Sequence, residues 1–270
     1  MKIIKETLAE DATAYLRGYI KDADDTSTHE NYPAVIVVPG GSYTHIPEAQ
    51  AETLALAFSN LGYQCFYLRY HFAGEKKPLL PAPVIDLAQA VALVRRHADE
   101  WHVDANTIVI AGFSVGGHIV SLYSDYWHTD WLKTQSGSAS ISLKPQAVIL
   151  GYPVINPALG FPTDAETLAA WTSTPDKFAA DQHVSAANPP TFIWVTGDDP
   201  LVPAKNSLAY AKALAENNIP YELHVFHHGP HGIALANHLT AWKRDADQPH
   251  VAHWLKLAEE WLNETLTQTE

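Results

Sequence analysis

The sequence predicts an α/β fold in which a mostly parallel central sheet carries helices on both faces. Short apolar runs of strand length alternate with segments of helical periodicity along most of the chain, a pattern typical of such sheets. Glycine-rich polar motifs follow several of these runs, at the strand ends where ligands of parallel sheets bind. The chain has 270 residues, 47% of them hydrophobic, so it can bury a sizeable core. We therefore expect a single domain over residues 1–270.

The predicted strands are short runs rich in apolar, β-branched and aromatic residues. The run over residues 34–38 is continuously apolar and ends at Pro39 and two glycines. Such a run is typical of a strand covered on both faces. The other predicted strands span residues 14–20, 64–70, 107–111, 147–150, 191–196 and 221–226.

The predicted helices lie between these strands. Apolar residues recur at helical spacing from Val84 to Val94, which indicates one buried face. A helix over 47–61 is followed by Gly62, the residue type favoured just beyond a helix C-terminus. Further helices are predicted from residue 115 to about 123, over 204–216 and over 251–266.

Two stretches, 125–144 and 156–190, break the alternation of strands and helices. They carry tryptophans, prolines and a Ser/Gly-rich piece. We expect them to be small insertions, either of which could form a cap over a site.

Composition narrows the classes of partner. The formal net charge of −13 disfavours nucleic acid and anionic membranes as partners and favours neutral substrates. The only cysteine, Cys65, excludes an intrachain disulfide, and its place in a strand predicts burial. Residues 1–10 lack a signal-peptide core, and no apolar run is long enough to span a membrane. We therefore expect a soluble, cytoplasmic protein.

The segment Gly112-Phe113-Ser114-Val115-Gly116 matches the G-x-S-x-G pattern of a nucleophile elbow. The pattern places a serine on a strained turn between strand and helix, and small residues on either side let the two approach closely. The helix N-terminus also favours developing negative charge. About one chain in ten of this length carries the motif by chance, and a structural strand-to-helix turn is the alternative. The preceding apolar strand favours Ser114 as a catalytic nucleophile.

Glycines at the end of the 34–38 strand predict an oxyanion hole. The segment Val38-Pro39-Gly40-Gly41-Ser42-Tyr43 stands where esterases with such an elbow carry an HGGG-type loop. Backbone N–H groups there can stabilise a tetrahedral oxyanion. The candidate donors are Gly41, Ser42 and Val115, and an ordinary Gly-Gly turn is the alternative.

A serine nucleophile needs a base and a carboxylate that orients the base. Asp198 and Asp199 follow the 191–196 strand, and the residues alone leave either open as the acid, with turn formation as the alternative role. Among the histidines after the last strand, His231 is favoured because Gly232 follows it and because the order Ser, Asp, His suits the fold. His227 and His228 are expected to be supporting or surface residues.

The remaining histidines form no second catalytic pattern. The H-H-x-x-H spacing of residues 227–231 does not match a helical zinc motif, so no metal site is predicted. His118, on the elbow helix, is expected to pack or to form hydrogen bonds.

The motifs PGGSY, GFSVGGH, GDDPLVPAKNS and GPHG occur in this order between about residues 34 and 233. The chain thereby resembles small bacterial carboxylesterases of the α/β-hydrolase fold, near acetyl esterases, acetylxylan esterases and hormone-sensitive-lipase relatives. The resemblance implies Ser114, Asp199 and His231 as the triad, with Asp198 structural. It implies hydrolysis of short acyl esters, often acetyl groups on sugars or alcohols, without a cofactor. Pro39 and Ser42 depart from the HGGG pattern, which puts the preferred acyl length in question.

Four aromatic residues are predicted to line the substrate pocket, although each residue type is more often found in a core: Tyr43, Phe72, Tyr152 and Trp171. Two alternatives to an esterase remain open, a serine peptidase of the prolyl-oligopeptidase type and a catalytically silent binding protein. The expected partner is a small-molecule ester, and both monomeric and homo-oligomeric states stay open.

Overall fold

The computed structural model describes residues 1–8, 13–22 and 31–267. The strands within these residues form one eight-stranded sheet: β1 (Lys2–Thr7), β2 (Tyr15–Ile20), β3 (Tyr32–Val38), β4 (Gln64–Arg69), β5 (Val103–Phe113), β6 (Ala147–Gly151), β7 (Thr191–Thr196) and β8 (Tyr221–Phe226). The spatial order is β1-β2-β4-β3-β5-β6-β7-β8. Strand β2 pairs antiparallel with β1 and with β4, and all pairs from β4 to β8 are parallel. The predicted mostly parallel sheet is confirmed.

Helices cover both faces of this sheet. They are α1 (Glu48–Asn60), α2 (Ala82–Arg96), α3 (Val115–Tyr126), α4 (Asp130–Gln135), α5 (Ala165–Trp171), α6 (Lys205–Glu216) and α7 (Trp254–Thr267). Helix α1 meets α7 where the rings of Phe58 and Trp254 lie 6.3 Å apart, while α2 packs against α3. No helix among the described residues is long and apolar enough to cross a membrane.

The central strands are buried on both faces, as the continuous apolar run in β3 predicts. All five residues over 34–38 are inaccessible to solvent, and so is every residue of β6. Cys65 is also buried, in β4, and burial raises the pKa of its thiol. Because β3, β5, β7 and β8 run parallel in one sheet, the loops at their carboxyl ends lie along the same edge.

Sequence patterns missed some elements. Strand β1 escaped prediction because it lies at the sheet edge and is mostly exposed, so its sequence KIIKET has no continuous apolar run. Helices α4 and α5 lie in the two stretches expected to be insertions. Helix α4 packs against α2, and α5 is joined to the chain before α2 by the N–H groups of Leu79 and Leu80, which donate to Ala170 and Trp171.

Candidate active site

Ser114 occupies the turn between β5 and α3 in a conformation that side chains rarely adopt, with φ 57° and ψ −123°. Its N–H donates to the Gly151 carbonyl at 3.1 Å, and its own carbonyl accepts from Gly117 at 2.9 Å and Val154 at 3.0 Å. These bonds to β6 and its following loop hold the strained turn. The elbow therefore presents the Ser114 hydroxyl at the carboxyl end of β5.

Glycines around Ser114 are required by close backbone packing. A Cβ on Gly112 would lie 2.6 Å from the Gly116 carbonyl oxygen, and a Cβ on Gly116 would lie 2.0 Å from that of Val38. Both distances are below any normal contact, so no side chain fits at either position. The G-x-S-x-G spacing thus reflects the approach of α3 to β5 and β3.

The structure brings Ser114, His231 and Asp199 into one hydrogen-bonded chain. His231 Nε2 lies 2.7 Å from Ser114 Oγ, and His231 Nδ1 lies 2.7 Å from Asp199 Oδ2. With Nδ1–H donating to the carboxylate, Nε2 is free to accept the serine proton. The arrangement can therefore remove a proton from Ser114 and stabilise the resulting imidazolium.

The Asp199 carboxylate is fixed on both oxygens. Its side chain is fully buried, and Oδ1 accepts the N–H groups of Leu201 at 2.9 Å and Val202 at 3.0 Å. Only Oδ2 therefore points to the imidazole. Two backbone donors and a buried setting hold the acid in one orientation.

The loop that carries His231 is supported from two sides. The Tyr152 ring lies edge-on to the imidazole, with centroids 4.9 Å apart, and the Tyr152 hydroxyl accepts the N–H of Ala234 at 3.1 Å. Gln50 Nε2 donates to the Gly232 carbonyl at 3.1 Å. These contacts limit the positions that the imidazole can take.

Asp198 and His228 pair with each other and are not part of the Ser114 chain. His228 Nδ1 lies 2.6 Å from Asp198 Oδ2, and the Gly229 N–H donates to Asp198 Oδ1 at 3.0 Å. The bond from His228, with help from Gly229, lowers the pKa of Asp198 below its usual value; the same bond raises the pKa of His228. His227 is exposed. The Asp198–His228 pair thus ties the loop after β7 to the loop after β8, which is the supporting role expected for these two residues.

The loop after β3 carries three consecutive residues with positive φ: Gly41 at 121°, Ser42 at 54° and Tyr43 at 61°. Its Gly40 lies against the elbow, since a Cβ there would be 2.9 Å from the Ser114 Cβ. Within residues 1–8, 13–22 and 31–267, no hydrogen bond uses the N–H groups of Gly41, Ser42 or Val115. Three backbone donors beside the Ser114 hydroxyl thus remain available to an oxyanion.

A cleft of about 330 Å³ opens beside Ser114. Its lining comprises Gly40, Gly41, Ser42, Pro47, Gln50, Ser114, Tyr152, Leu201, His231, Gly232 and Trp242. Sequence reasoning missed Pro47, Gln50, Leu201 and Trp242. Leu201 stands two residues after Asp199, a position that could have suggested it, whereas nothing in the sequence pattern marks Trp242.

Of the four aromatic residues predicted to line the pocket, only Tyr152 does so. Tyr43 and Trp171 are fully buried and meet edge-on, 4.8 Å apart, while Phe72 packs under the guanidinium of Arg69 at 3.9 Å. The prediction was wrong for these three because Tyr43 and Trp171 pack against each other in the interior, and Phe72 packs against Arg69 at the end of β4. Residues 125–144 and 156–190 contribute no side chain to the lining of this cleft.

Comparison with known proteins places the chain in a family. The BD-FAE family model matches residues 23–214. The chain belongs to the BD-FAE family. The carboxylesterase Cest-2923 from Lactobacillus plantarum superposes with a TM-score of 0.92 at 32% identity, over 98% of both chains. A second structure from that organism, a putative carboxylesterase, is 56% identical with a TM-score of 0.80, again over 98% of both chains.

Among curated proteins, the acetylxylan esterase of Xylanibacter ruminicola is 25% identical over 241 residues, which are 83% of this chain and 45% of that protein. The chain spans about a third to a half of the length of the first curated relatives it matches. These likenesses confirm the predicted α/β-hydrolase fold and the resemblance to carboxylesterases. The solved structures that it resembles over nearly their whole length are called a carboxylesterase and a putative carboxylesterase.

Proposed function

We propose that this chain is a serine carboxylesterase that hydrolyses short acyl esters, above all acetyl esters, through an acyl-enzyme on Ser114. The observation that carries the proposal is the pair of 2.7 Å contacts that link Ser114 Oγ, His231 and Asp199. A serine, a base and an orienting carboxylate in this order are the parts that ester hydrolysis by acyl transfer requires. The chain needs no cofactor for this chemistry.

The proposed reaction has two halves. His231 Nε2 takes the Ser114 proton as Oγ bonds to the ester carbonyl carbon. The tetrahedral oxyanion that forms accepts hydrogen bonds from the N–H groups of Gly41, Ser42 and Val115. The C–O bond to the alcohol then breaks, and His231 returns its proton to the leaving oxygen. In the second half His231 deprotonates a water as the water oxygen bonds to the acyl carbon. The acyl–Oγ bond then breaks, His231 returns the proton to Ser114 Oγ, and the carboxylic acid leaves.

Two observations support a short acyl group. The cleft of about 330 Å³ is near the lower limit for ligand pockets, so a long acyl chain would extend into solvent. One relative is named an acetylxylan esterase, which supports sugar acetates as the natural substrate class. The formal net charge of −13 also favours neutral esters over anionic ones.

The test compares hydrolysis of p-nitrophenyl acetate, butyrate and octanoate by the wild type, Ser114→Ala and Ser207→Ala. Ser207 is the control because it is a buried serine on α6 whose hydroxyl has no hydrogen-bond partner among the residues that the structure describes. We expect acetate to be the best substrate and Ser114→Ala to lose about 10⁵-fold in kcat, while Ser207→Ala stays close to the wild type. Equal activity of Ser114→Ala and the wild type would overturn the proposal, and so would turnover confined to peptide p-nitroanilides.

A further inference from the structure

The side chain of Tyr43 leaves the strained loop after β3 and enters the protein interior. Its hydroxyl lies 3.0 Å from His118 Nδ1, and both side chains are fully buried. Its ring lies edge-on to Trp171 at 4.8 Å and to Tyr70 at 5.9 Å. Tyr43, which directly follows the proposed oxyanion donors, therefore anchors their loop in the interior.

The direction of the hydrogen bond follows from the second partner of His118. His118 Nε2 lies 2.7 Å from the Phe178 carbonyl oxygen, which can only accept, so Nε2 carries the proton. Burial lowers the pKa of His118 to about 4, so the ring is neutral near pH 7. Nδ1 is then unprotonated and accepts the Tyr43 O–H.

This bond connects the two halves of the proposed catalytic machinery. His118 lies on α3 one turn after Ser114, and its N–H donates to the Ser114 carbonyl at 3.3 Å. Tyr70 also supports the loop after β3, because its hydroxyl donates to the Pro39 carbonyl at 3.0 Å. The Tyr43–His118 bond is a direct side-chain link between the loop after β3 and helix α3, which follows the nucleophile.

We propose that Tyr43 and His118 are positioning residues, whose buried hydrogen bond keeps the Gly41 and Ser42 N–H groups in register with Ser114. The inference rests on the proposed ester hydrolysis. Neither side chain lines the cleft, so neither touches the substrate. Because an oxyanion donor acts mainly when charge develops in the transition state, loss of this bond should lower kcat much more than it changes KM.

The first test is Tyr43→Phe, which keeps the aromatic contacts and removes only the hydroxyl. We expect kcat for p-nitrophenyl acetate to fall about tenfold and KM to stay within about twofold. Tyr210→Phe is the matched control, because Tyr210 is equally buried and its hydroxyl bonds Asn188 and Asp125, which lies near the C-terminal end of α3. It should change stability without changing kcat.

The second test uses two replacements at His118. In His118→Asn the side-chain oxygen can take the position of Nδ1 and still accept from Tyr43, whereas in His118→Gln the amide nitrogen takes the position of Nε2 and keeps only the Phe178 bond. We expect the Asn variant to retain kcat near the wild type and the Gln variant to match Tyr43→Phe. Adding Tyr43→Phe to the Gln variant should cause no further loss.

An alkyl boronic acid supplies a readout that a merely structural role would not move. Its tetrahedral adduct on Ser114 uses the same donors as the transition state, so its Ki should rise in Tyr43→Phe by the same factor as kcat falls. A folded Tyr43→Phe with unchanged kcat and Ki would overturn the positioning role while leaving the esterase proposal intact. If that variant does not fold, equal kcat in the two His118 variants overturns it. Absence of Ser114-dependent hydrolysis in the wild type would overturn both proposals.

Discussion

The imidazole of His231 lies against the edge of the Tyr152 ring, with centroids 4.9 Å apart and planes inclined at 73°. Tyr152 follows β6, whereas His231 follows β8. The Tyr152 hydroxyl also accepts the N–H of Ala234, three residues after His231, at 3.1 Å. One side chain thus supports both the ring and the backbone of the loop that carries the proposed base.

Removal of this hydroxyl should destabilise the His231 loop. In Tyr152→Phe the buried N–H of Ala234 loses its acceptor, which costs about 1–3 kcal/mol in the free energy of unfolding. Urea denaturation of the variant and the wild type measures the difference. Tyr63→Phe provides a control on a buried tyrosine outside the site. An unchanged midpoint in Tyr152→Phe would contradict the assigned contact.

Asp199 and Asp198 should differ sharply in their effect on turnover. Asp199→Asn leaves His231 with the wrong tautomer and should lower kcat about 10⁴-fold. Asp198→Asn, adjacent in sequence, removes a carboxylate that bonds His228 and Gly229 and should lower kcat by less than about tenfold. Steady-state kinetics on p-nitrophenyl acetate separates them, and the reverse ranking would exclude Asp199 as the acid.

The Asp198–His228 pair should stabilise the protein over a limited pH range. The pKa of His228 is raised in the folded state, so its contribution is fully present below its unfolded pKa of about 6.5 and is lost as pH rises through the folded value. The pKa of Asp198 is lowered, so its contribution is present above about pH 4 and is lost as pH falls through the folded value.

His228→Asn should therefore lower Tm relative to the wild type at about pH 5.5 and have little effect at about pH 9. Thermal unfolding at the two pH values provides the measurement, with His227→Asn as the exposed neighbouring control. The same Tm difference at both pH values would show that protonation of His228 does not contribute.

Trp242 should contribute to substrate binding at the edge of the cleft. The residue is 61% exposed yet lines the cleft beside Ser114, so an aromatic leaving group can pack against it. Trp242→Ala should raise KM for p-nitrophenyl acetate about threefold to tenfold with little change in kcat. Trp131→Ala is the control, since that tryptophan is also exposed but lies outside this cleft. A KM equal to that of the wild type would exclude the contact.

Local sequence patterns predicted most of the strands and helices, because the formation of a strand, a helix or a tight turn depends mainly on residues that are neighbours in the chain. The apolar run before Pro39 and the elbow around Ser114 predict a covered strand and a strand-to-helix turn, and the structure has β3 and β5–α3 there. Strand β1 was missed because an exposed edge strand buries too few residues to leave an apolar pattern. The prediction of pocket-lining aromatic residues was wrong for three of the four for a related reason. Composition does not say whether a ring such as that of Trp171 faces the interior or a cleft.

The sequence by itself determined most of the strands and helices, the elbow at Ser114, the Gly40-Gly41 turn before Tyr43 and the loop that carries His231, because periodicity and backbone constraints act over a few residues. The motifs shared with carboxylesterases also favoured Asp199 over Asp198 as the acid. Only the tertiary structure decided that Tyr43 bonds His118 and that Trp242 borders the cleft. Each of these depends on distances between side chains that are far apart in sequence. Such distances depend on how the sheet and its helices pack, which no local pattern encodes.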